Sequence, residues 1–177
     1  MKVLKKILIV IAIIVAIPLI IALFVDKDFE VMREVTINKP KQQVFDYVKH
    51  LKNQDNYSKW VMTDPNMKKD FRGTDGTTGF IYAWSGNKKA GKGEQEITKI
   101  IEGERVDVEV RFEAPMKMIA TAPIITEPIG ENQTKVKWGL KGKYSYPMNF
   151  MNLFVDAMLG KDVETSLTTL KGILEKS

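Results

Sequence analysis

A long apolar run near the N-terminus begins at Ile7 and ends at Val25, and it contains no charged or strongly polar side chain. At a rise of about 1.5 Å per residue, a helix of this length spans roughly 28 Å, close to a bilayer's hydrocarbon thickness of about 30 Å. Directly afterwards, Asp26 begins a mixed and charged stretch. The pattern predicts a basic flank and transmembrane helix over residues 1–25, followed by one globular domain over residues 26–177.

A cleavable signal peptide is the alternative interpretation of this segment, with Lys2, Lys5 and Lys6 as its basic region. The apolar run is longer than the roughly 7–15 residues usual for a signal peptide, and no small-x-small motif precedes Asp26. These features favour a retained anchor. Because positively charged flanks stay in the cytoplasm, we expect a cytoplasmic N-terminus and an extracytoplasmic domain, periplasmic in a Gram-negative cell.

The globular domain is closer to neutral than the net charge of the whole chain suggests. The formal net charge is +5, and three of the 27 basic residues are the lysines that flank the apolar run. The domain therefore carries 24 basic and 22 acidic residues, which are interspersed along the sequence. A nucleic-acid-binding surface needs clustered positive charge, so we expect no nucleic-acid partner. With no cysteine and one histidine, a zinc or transition-metal site is not expected, and no motif indicates a cofactor.

The domain sequence predicts one strand, then two short helices, then about six antiparallel strands and a final helix. Strict alternation of apolar and polar residues, which is typical of half-buried antiparallel strands, occurs over residues 80–85, 106–113 and 135–141. Further strands are predicted over residues 31–37, 91–101 and 116–125. Pro40 begins the first of two short helices, and the second ends near Trp60. Two apolar stripes predict a long C-terminal helix, with Gly160 between them as a kink.

This order of elements, with three local motifs, resembles the START-like and polyketide cyclase/dehydrase (SRPBCC) superfamily. The motifs are Lys39-Pro40 through Phe45, Trp84-Ser85-Gly86-Asn87 followed by Gly91-Lys92-Gly93, and Gly160-Lys161-Asp162-Val163-Glu164 leading to Leu167 and Leu170. The resemblance implies an α+β helix-grip fold. In that fold a curved antiparallel sheet of about six or seven strands wraps around the C-terminal helix and encloses a cavity. The superfamily includes cyclases, hydrolases and lipid carriers, so the resemblance specifies a scaffold and no single reaction.

Large aromatic and methionine side chains are numerous on the predicted inward faces. Such side chains suit an adaptable apolar pocket, and ordinary core packing is the competing interpretation. The predicted ligand-binding residues are Trp60, Phe80, Tyr82, Trp84, Phe112, Met118, Trp138, Tyr144, Met151 and Phe154.

Glu94 and Glu96 are the weak candidates for catalysis. They alternate on one face of a predicted strand, about 6–7 Å apart. On the cavity side, one of them could have a raised pKa and act as an acid or base. The other register places Gln95 and Ile97, with Ile101, inside and both glutamates in water. We favour that register because burying an unpaired carboxylate is costly.

Three functions are compatible with these patterns. The leading hypothesis is a membrane-anchored domain that binds a hydrophobic small molecule or lipid outside the cytoplasm and is not an enzyme. The second is a cyclase- or hydrolase-type enzyme that uses a cavity carboxylate. The third is an interaction or stress-response module without a ligand. The apolar run favours a lipid-like ligand, because it places the predicted pocket beside a bilayer.

Overall fold

The computed structural model describes residues 2–176, and it has an α+β architecture in which a curved antiparallel sheet packs on a long C-terminal helix. The helices are α1 (Lys2–Ala22), α2 (Lys41–Val48), α3 (Gln54–Tyr57) and α4 (Asn152–Lys176), with short 3₁₀ helices at Leu51–Asn53, Val61–Thr63 and Met148–Met151. The strands are β1 (Asp28–Ile37), β2 (Lys68–Arg72), β3 (Ile81–Ser85), β4 (Lys92–Ile101), β5 (Arg105–Ala114), β6 (Met118–Thr121), β7 (Ile124–Gly130) and β8 (Gln133–Lys143). This is the predicted helix-grip fold, with eight strands.

The strands follow the order β1-β8-β6-β5-β4-β3-β2, and β7 pairs with β5 and β8. Both β6 and β7 therefore lie between β5 and β8, one at each end of the sheet. The single strand predicted over residues 116–125 is divided here, because Pro123 between the two strands has no N–H to donate to a ladder. The sequence pattern also missed β2, whose five residues are all exposed on the sheet edge and show no alternation.

The core lies between the inner face of the sheet and α4. On β5, Val106, Val108 and Val110 are buried and alternate with charged residues that stay on the outer face. The inward stripe of α4 includes Val163 and Leu167, which are almost completely buried. Alternating burial along the strands and one buried stripe along the helix are the two periodicities that the sequence displays.

The helix α4 runs without interruption through Gly160, so it has no break at this position. Arg33 on β1 reaches across the helix at this point. It donates hydrogen bonds of 2.8 Å to Asp156 and to Glu164, which lie on either side of the glycine. A Cβ atom on Gly160 would lie 2.2 Å from Nη2 of Arg33. The glycine therefore provides clearance for the guanidinium group.

Several chain segments meet at one end of the sheet, which we call the α1 end. The register pairs Asp28 at the start of β1 with Lys143 at the end of β8, and Lys92 with Ala114 at the β3–β4 and β5–β6 hairpins. The N-terminus of α4 joins them, because Asn149 Nδ2 donates to the carbonyl oxygens of Ala22 and Val25 at 2.7 Å. The opposite end carries the β4–β5 and β7–β8 turns.

The helix α1 is long and apolar enough to cross a membrane, and its apolar stretch is not buried within the molecule. It stops at Ala22, three residues before the end of the apolar run. Phe24, just beyond, is 85% exposed. Only its C-terminal end contacts the domain, where Ala22 is buried. The exposed apolar stretch before it needs an apolar environment of another kind.

Candidate functional site

Four half-buried apolar side chains line the inner face of the sheet at the α1 end: Trp84, Phe112, Met118 and Tyr144. We call this set the apolar rim. Gly93 on β4 is the cross-strand neighbour of both Trp84 and Phe112, and Met118 lies opposite Phe112. All four rim residues pack against the buried core without being fully covered themselves. The strand ends thus present neighbouring apolar side chains on the inner face of the sheet.

The aromatic rings of this region are fixed by contacts to the sheet. A Cβ atom on Gly93 would lie 2.8 Å from the Trp84 indole, so the indole ring lies against the sheet over this glycine. The Trp84 indole N–H donates to the carbonyl oxygen of Ala90 at 3.0 Å. Its ring meets that of Phe112 edge to face, with centroids 5.8 Å apart. The rim is therefore preorganised, which lowers the entropic cost of binding an apolar molecule.

Small side chains lie directly below the rim on the same face. Val110, Ala120 and Gly142 follow one another across β5, β6 and β8 in a single cross-strand row. The ring of Phe29 covers Gly142 and stacks on Tyr144 at 5.2 Å. Val110 and Ala120 are buried within this row. Burial also raises the pKa of the Tyr144 hydroxyl, which stays protonated.

Two polar pairs form the deeper end of the site. Gln95 on β4 donates to Gln54 on α3 at 3.0 Å, and both side chains are buried. The hydroxyl of Tyr82 donates to Asp55 on α3 at 2.6 Å, and Lys69 pairs with the same carboxylate at 2.8 Å. Burial, and then the hydrogen bond to Asp55, raise the pKa of Tyr82, so this phenol remains a donor. Sequence reasoning missed Asp55, because only the packing of α3 on β3 brings it to the sheet.

Open concave surfaces reach the rim from outside. One groove of about 610 Å³ follows the β5–β6 hairpin and is lined by Glu94, Arg111, Phe112, Glu113, Lys117, Met118 and Ile119. Another, of about 440 Å³, is lined by Asp28, Phe29, Glu30, Lys141 and Gly142. Both grooves lie at the α1 end. A molecule bound at the rim would therefore have access to the outside along the sheet edge.

Outside the rim, the other six predicted ligand-binding residues form two pairs and two single residues. Phe80 and Tyr82 belong to the buried cluster on which the four rim residues pack. Trp60 and Trp138 lie together in a second cluster, edge to face with centroids 5.8 Å apart. Met151, in the 3₁₀ turn before α4, is half-buried.

Phe154 is apart from the others, because its side chain is 51% exposed on the outer side of α4. The inward position on this turn is taken by Val155, which is buried. A helical pattern alone did not distinguish the two faces here, since apolar residues occur on both. The burial of Val155 shows which side of the helix faces the core, and Phe154 lies on the other side.

Glu94 and Glu96 lie on the outer face, and the favoured register holds for Gln95 and Ile97, which are buried. Ile101, at the end of β4, is exposed instead. The guanidinium of Arg111 donates to Glu94 at 2.9 Å, to Glu96 at 2.7 Å and to Glu109 at 2.5 Å. These pairs are cross-strand contacts of the outer surface.

The pKa of Glu94 is lowered, the opposite of what a catalytic acid at neutral pH requires. Partial burial acts to raise it, but the hydrogen bonds from Arg111 and Arg72 outweigh that effect. The enzyme hypothesis needs a carboxylate that faces the rim, and neither glutamate does so. Among residues 2–176, no three histidine, aspartate or glutamate side chains are arranged to hold a metal ion.

No model of a known protein family matches this chain, and no curated protein matches its sequence. Its structure, however, is similar to several solved structures. One is norcoclaurine synthase from Thalictrum flavum in complex with dopamine and hydroxybenzaldehyde, with a TM-score of 0.66 and 9% identity. That match covers 89% of this chain and 92% of the other.

Two further solved structures have similar scores. The Zhui aromatase/cyclase from Streptomyces sp. R1128 has a TM-score of 0.63 and 9% identity, over 84% of this chain and 94% of that one. The protein Ara h 8.0201 has a TM-score of 0.57 and 11% identity, over 85% and 99%. Similarity at this level of identity shows the helix-grip fold and leaves the ligand to be argued from the site.

Proposed function

We propose that this protein is a membrane-anchored domain that binds a hydrophobic small molecule or a lipid at the apolar rim. The observation that carries the proposal is the position of the rim. Trp84, Phe112, Met118 and Tyr144 are half-buried at the end of the sheet where α1 meets the domain. Ligand sites are typically concave and mostly apolar, with a few polar groups that fix orientation. Here Gln95 and Tyr82 would supply those groups.

The fold neighbours support this assignment by analogy. Norcoclaurine synthase was solved with the aromatic molecules dopamine and hydroxybenzaldehyde, and an aromatase/cyclase has the same architecture. For the present chain, α1 would act as the anchor, and the lysines before it would keep the N-terminus in the cytoplasm. The domain over residues 26–177 would then meet its ligand on the outer side of the membrane. A lipid-like ligand suits this location better than a cytosolic metabolite.

Binding of dansyl-undecanoic acid to the purified full chain in detergent tests the proposal. The substitutions Trp84→Ala and Met118→Ala remove contact area at the rim. Ala120→Phe adds a large side chain to the cross-strand row directly below it. We expect each to weaken binding by about tenfold, which is the loss of roughly one buried side chain. Ile129→Ala is the matched control, because Ile129 is 52% exposed on β7, next to the β7–β8 turn at the opposite end.

Ala120→Phe distinguishes ligand exclusion from general destabilisation. It adds apolar bulk to a buried position, and its thermal unfolding is to be measured beside its binding. Lost binding with cooperative unfolding retained supports a site on the inner face at the rim. Equal affinity in the wild-type chain, the rim variants and the Ile129→Ala control would contradict the proposal.

A further inference from the structure

We infer that the α1 end of the domain docks directly on the surface of an anionic bilayer, the membrane that α1 is proposed to span. This inference rests on the proposed anchor but not on the identity or existence of the ligand. It starts from a set of exposed apolar residues on the first two turns of α4. We call Leu153, Phe154, Ala157 and Met158 the docking patch.

The docking patch forms one continuous surface. At about 100° per residue, its four members lie within an arc of roughly 140° on the outer side of α4. Leu153, Phe154 and Met158 are each more than half exposed, at 58%, 51% and 56%. Farther along the same side of the helix, Lys161, Glu164 and Thr165 are exposed and polar. The apolar character is therefore confined to the turns at the α1 end.

The position of α1 identifies what covers this patch. Asn152, the first residue of α4, donates from Nδ2 to the carbonyl oxygen of Asp26 at 2.6 Å. The patch thus begins within one residue of the contact that ties α4 to the segment after α1. Phe24 in that segment is 85% exposed as well. If α1 lies in the bilayer, these hydrogen bonds hold the first turns of α4 at the membrane surface.

Charge at the same end complements an anionic surface. Lys88 and Lys89 lie in the β3–β4 hairpin, Lys117 in the β5–β6 hairpin, and Lys27 follows α1; all four are exposed. The neighbouring lysines are neutralised, since Lys92 pairs with Glu113 and Lys143 lies 3.6 Å from Asp28. Within the described part of the chain, Lys88, Lys89 and Lys117 are in no ion pair. Lysines beside an apolar patch are typical of interfacial membrane binding.

Docking in this orientation places the apolar rim against the bilayer. The rim lies at the same strand ends as the lysine hairpins, as the pairing of Lys92 with Ala114 and of Phe112 with Met118 requires. A lipid could then move between bilayer and rim without crossing water. The opposite end of the sheet, with Ile129 exposed near its turn, would point away from the membrane.

Depth-dependent quenching of single labels in proteoliposomes tests the inference. The chain has no cysteine, so Phe154→Cys, Ile129→Cys and Ile14→Cys each give one thiol for an environment-sensitive fluorophore. Ile129 is the matched control, with an exposure of 52% against 51% for Phe154. In vesicles with phosphatidylglycerol, we expect doxyl-labelled lipid to quench the label at position 154 severalfold more than the label at 129. Replacing Lys88, Lys89 and Lys117 with glutamine should reduce this difference.

The label at Ile14 separates failure of docking from failure of the anchor. Lipid quenching at position 14 with strong aqueous iodide quenching at 154 would overturn docking while leaving the anchor intact. Absence of lipid quenching at position 14 would contradict the anchor itself, and docking with it. Protection of the label at 154 from both lipid and iodide would indicate that a second copy of the chain covers the patch, which also overturns the inference.

Discussion

Arg111 organises the outer surface of the sheet at the scale of single residues. Its guanidinium contacts three carboxylates on two strands, and Glu94 is shared with Arg72 on a third strand. The hydrogen bonds that Arg111 donates to Glu96 and then to Glu109 raise the pKa of Arg111. Such cross-strand pairs help to fix register, because a one-residue slip would turn every charge toward the core. The role of this cluster is therefore structural.

Replacing Glu94 with Gln tests the energetic role of this cluster. The folded-state pKa of Glu94 lies below the ordinary glutamate value of 4.5, because the hydrogen bonds from Arg111 and Arg72 outweigh partial burial, so folding favours the ionised form. The stabilisation is therefore present near neutral pH and is lost as the pH falls through the lowered pKa. We expect Glu94→Gln to lower the free energy of unfolding by about 0.5–1 kcal/mol near neutral pH. Below about pH 4 the difference should shrink.

Chemical denaturation of wild type and variant across this pH range measures the effect. Glu113→Gln is the matched control, since Glu113 pairs with Lys92 but its side chain is 52% exposed. A more exposed ion pair contributes less, so its pH-dependent difference should be smaller. If Glu94→Gln gave the same loss at acid and neutral pH, the ionised pairs would not be the cause.

Single elements show where sequence patterns suffice and where they fail. Strands β5 and β8 were predictable, because buried apolar residues alternate with charged residues on the outer face. Val106 on β5 and Val136 on β8 are examples of the buried positions. Strand β2 was not, since an edge strand exposed on every residue carries no burial period. Arg33 was also missed. It stands on the inner face opposite Trp138, and its partners come from α4, which is distant in sequence.

Two glycines of α4 give a matched test of the Arg33 contact. Alanine is preferred over glycine in a helix interior by about 1 kcal/mol, and nothing lies within 4 Å of a Cβ placed on Gly172. We expect Gly172→Ala to stabilise the protein by about 0.5–1 kcal/mol. Gly160→Ala should give little or no gain, because its methyl group displaces the Arg33 guanidinium from Asp156 and Glu164.

Thermal or denaturant unfolding of both glycine variants, each alone and combined with Arg33→Met, measures the coupling. With Arg33 replaced, Gly160→Ala should recover most of the gain seen at Gly172, while Gly172→Ala should be unaffected. Equal stabilisation by the two substitutions in the wild-type background would contradict the assigned clearance role of Gly160.

At the scale of the whole molecule, hydrogen bonds from two asparagines connect α1 to the domain. Asn149 donates to the carbonyl oxygen of Ala22, the last residue of α1, and Asn152 donates to that of Asp26 in the segment beyond it. The apolar run predicted the helix α1, the strand periodicity predicted the antiparallel strands, and the resemblance to the START-like superfamily implied the helix-grip fold. The placement of the apolar rim at the α1 end could not be predicted, because it depends on the register that brings the ends of β1, β3, β5, β6 and β8 together. The sequence indicates the rim residues as apolar candidates but not their common location.

The proposed topology is testable in spheroplasts of a bacterial host with a membrane-impermeant maleimide. Ile129→Cys lies far from α1, so its label should react without permeabilisation. Lys2→Cys precedes the apolar run and should react only after the membrane is opened. The reverse pattern would contradict the extracytoplasmic domain, and a soluble product lacking the first 25 residues would show a cleaved signal peptide.

Photo-crosslinking of a diazirine-labelled fatty acid to the full chain in detergent, with peptides mapped by mass spectrometry, tests most directly that the rim is the binding site. The account predicts crosslinks concentrated in residues 84–93, 112–118 and 144, which unlabelled fatty acid competes away and which Ala120→Phe diminishes. Crosslinks confined to α1, or spread evenly over the surface and insensitive to competition, would contradict it.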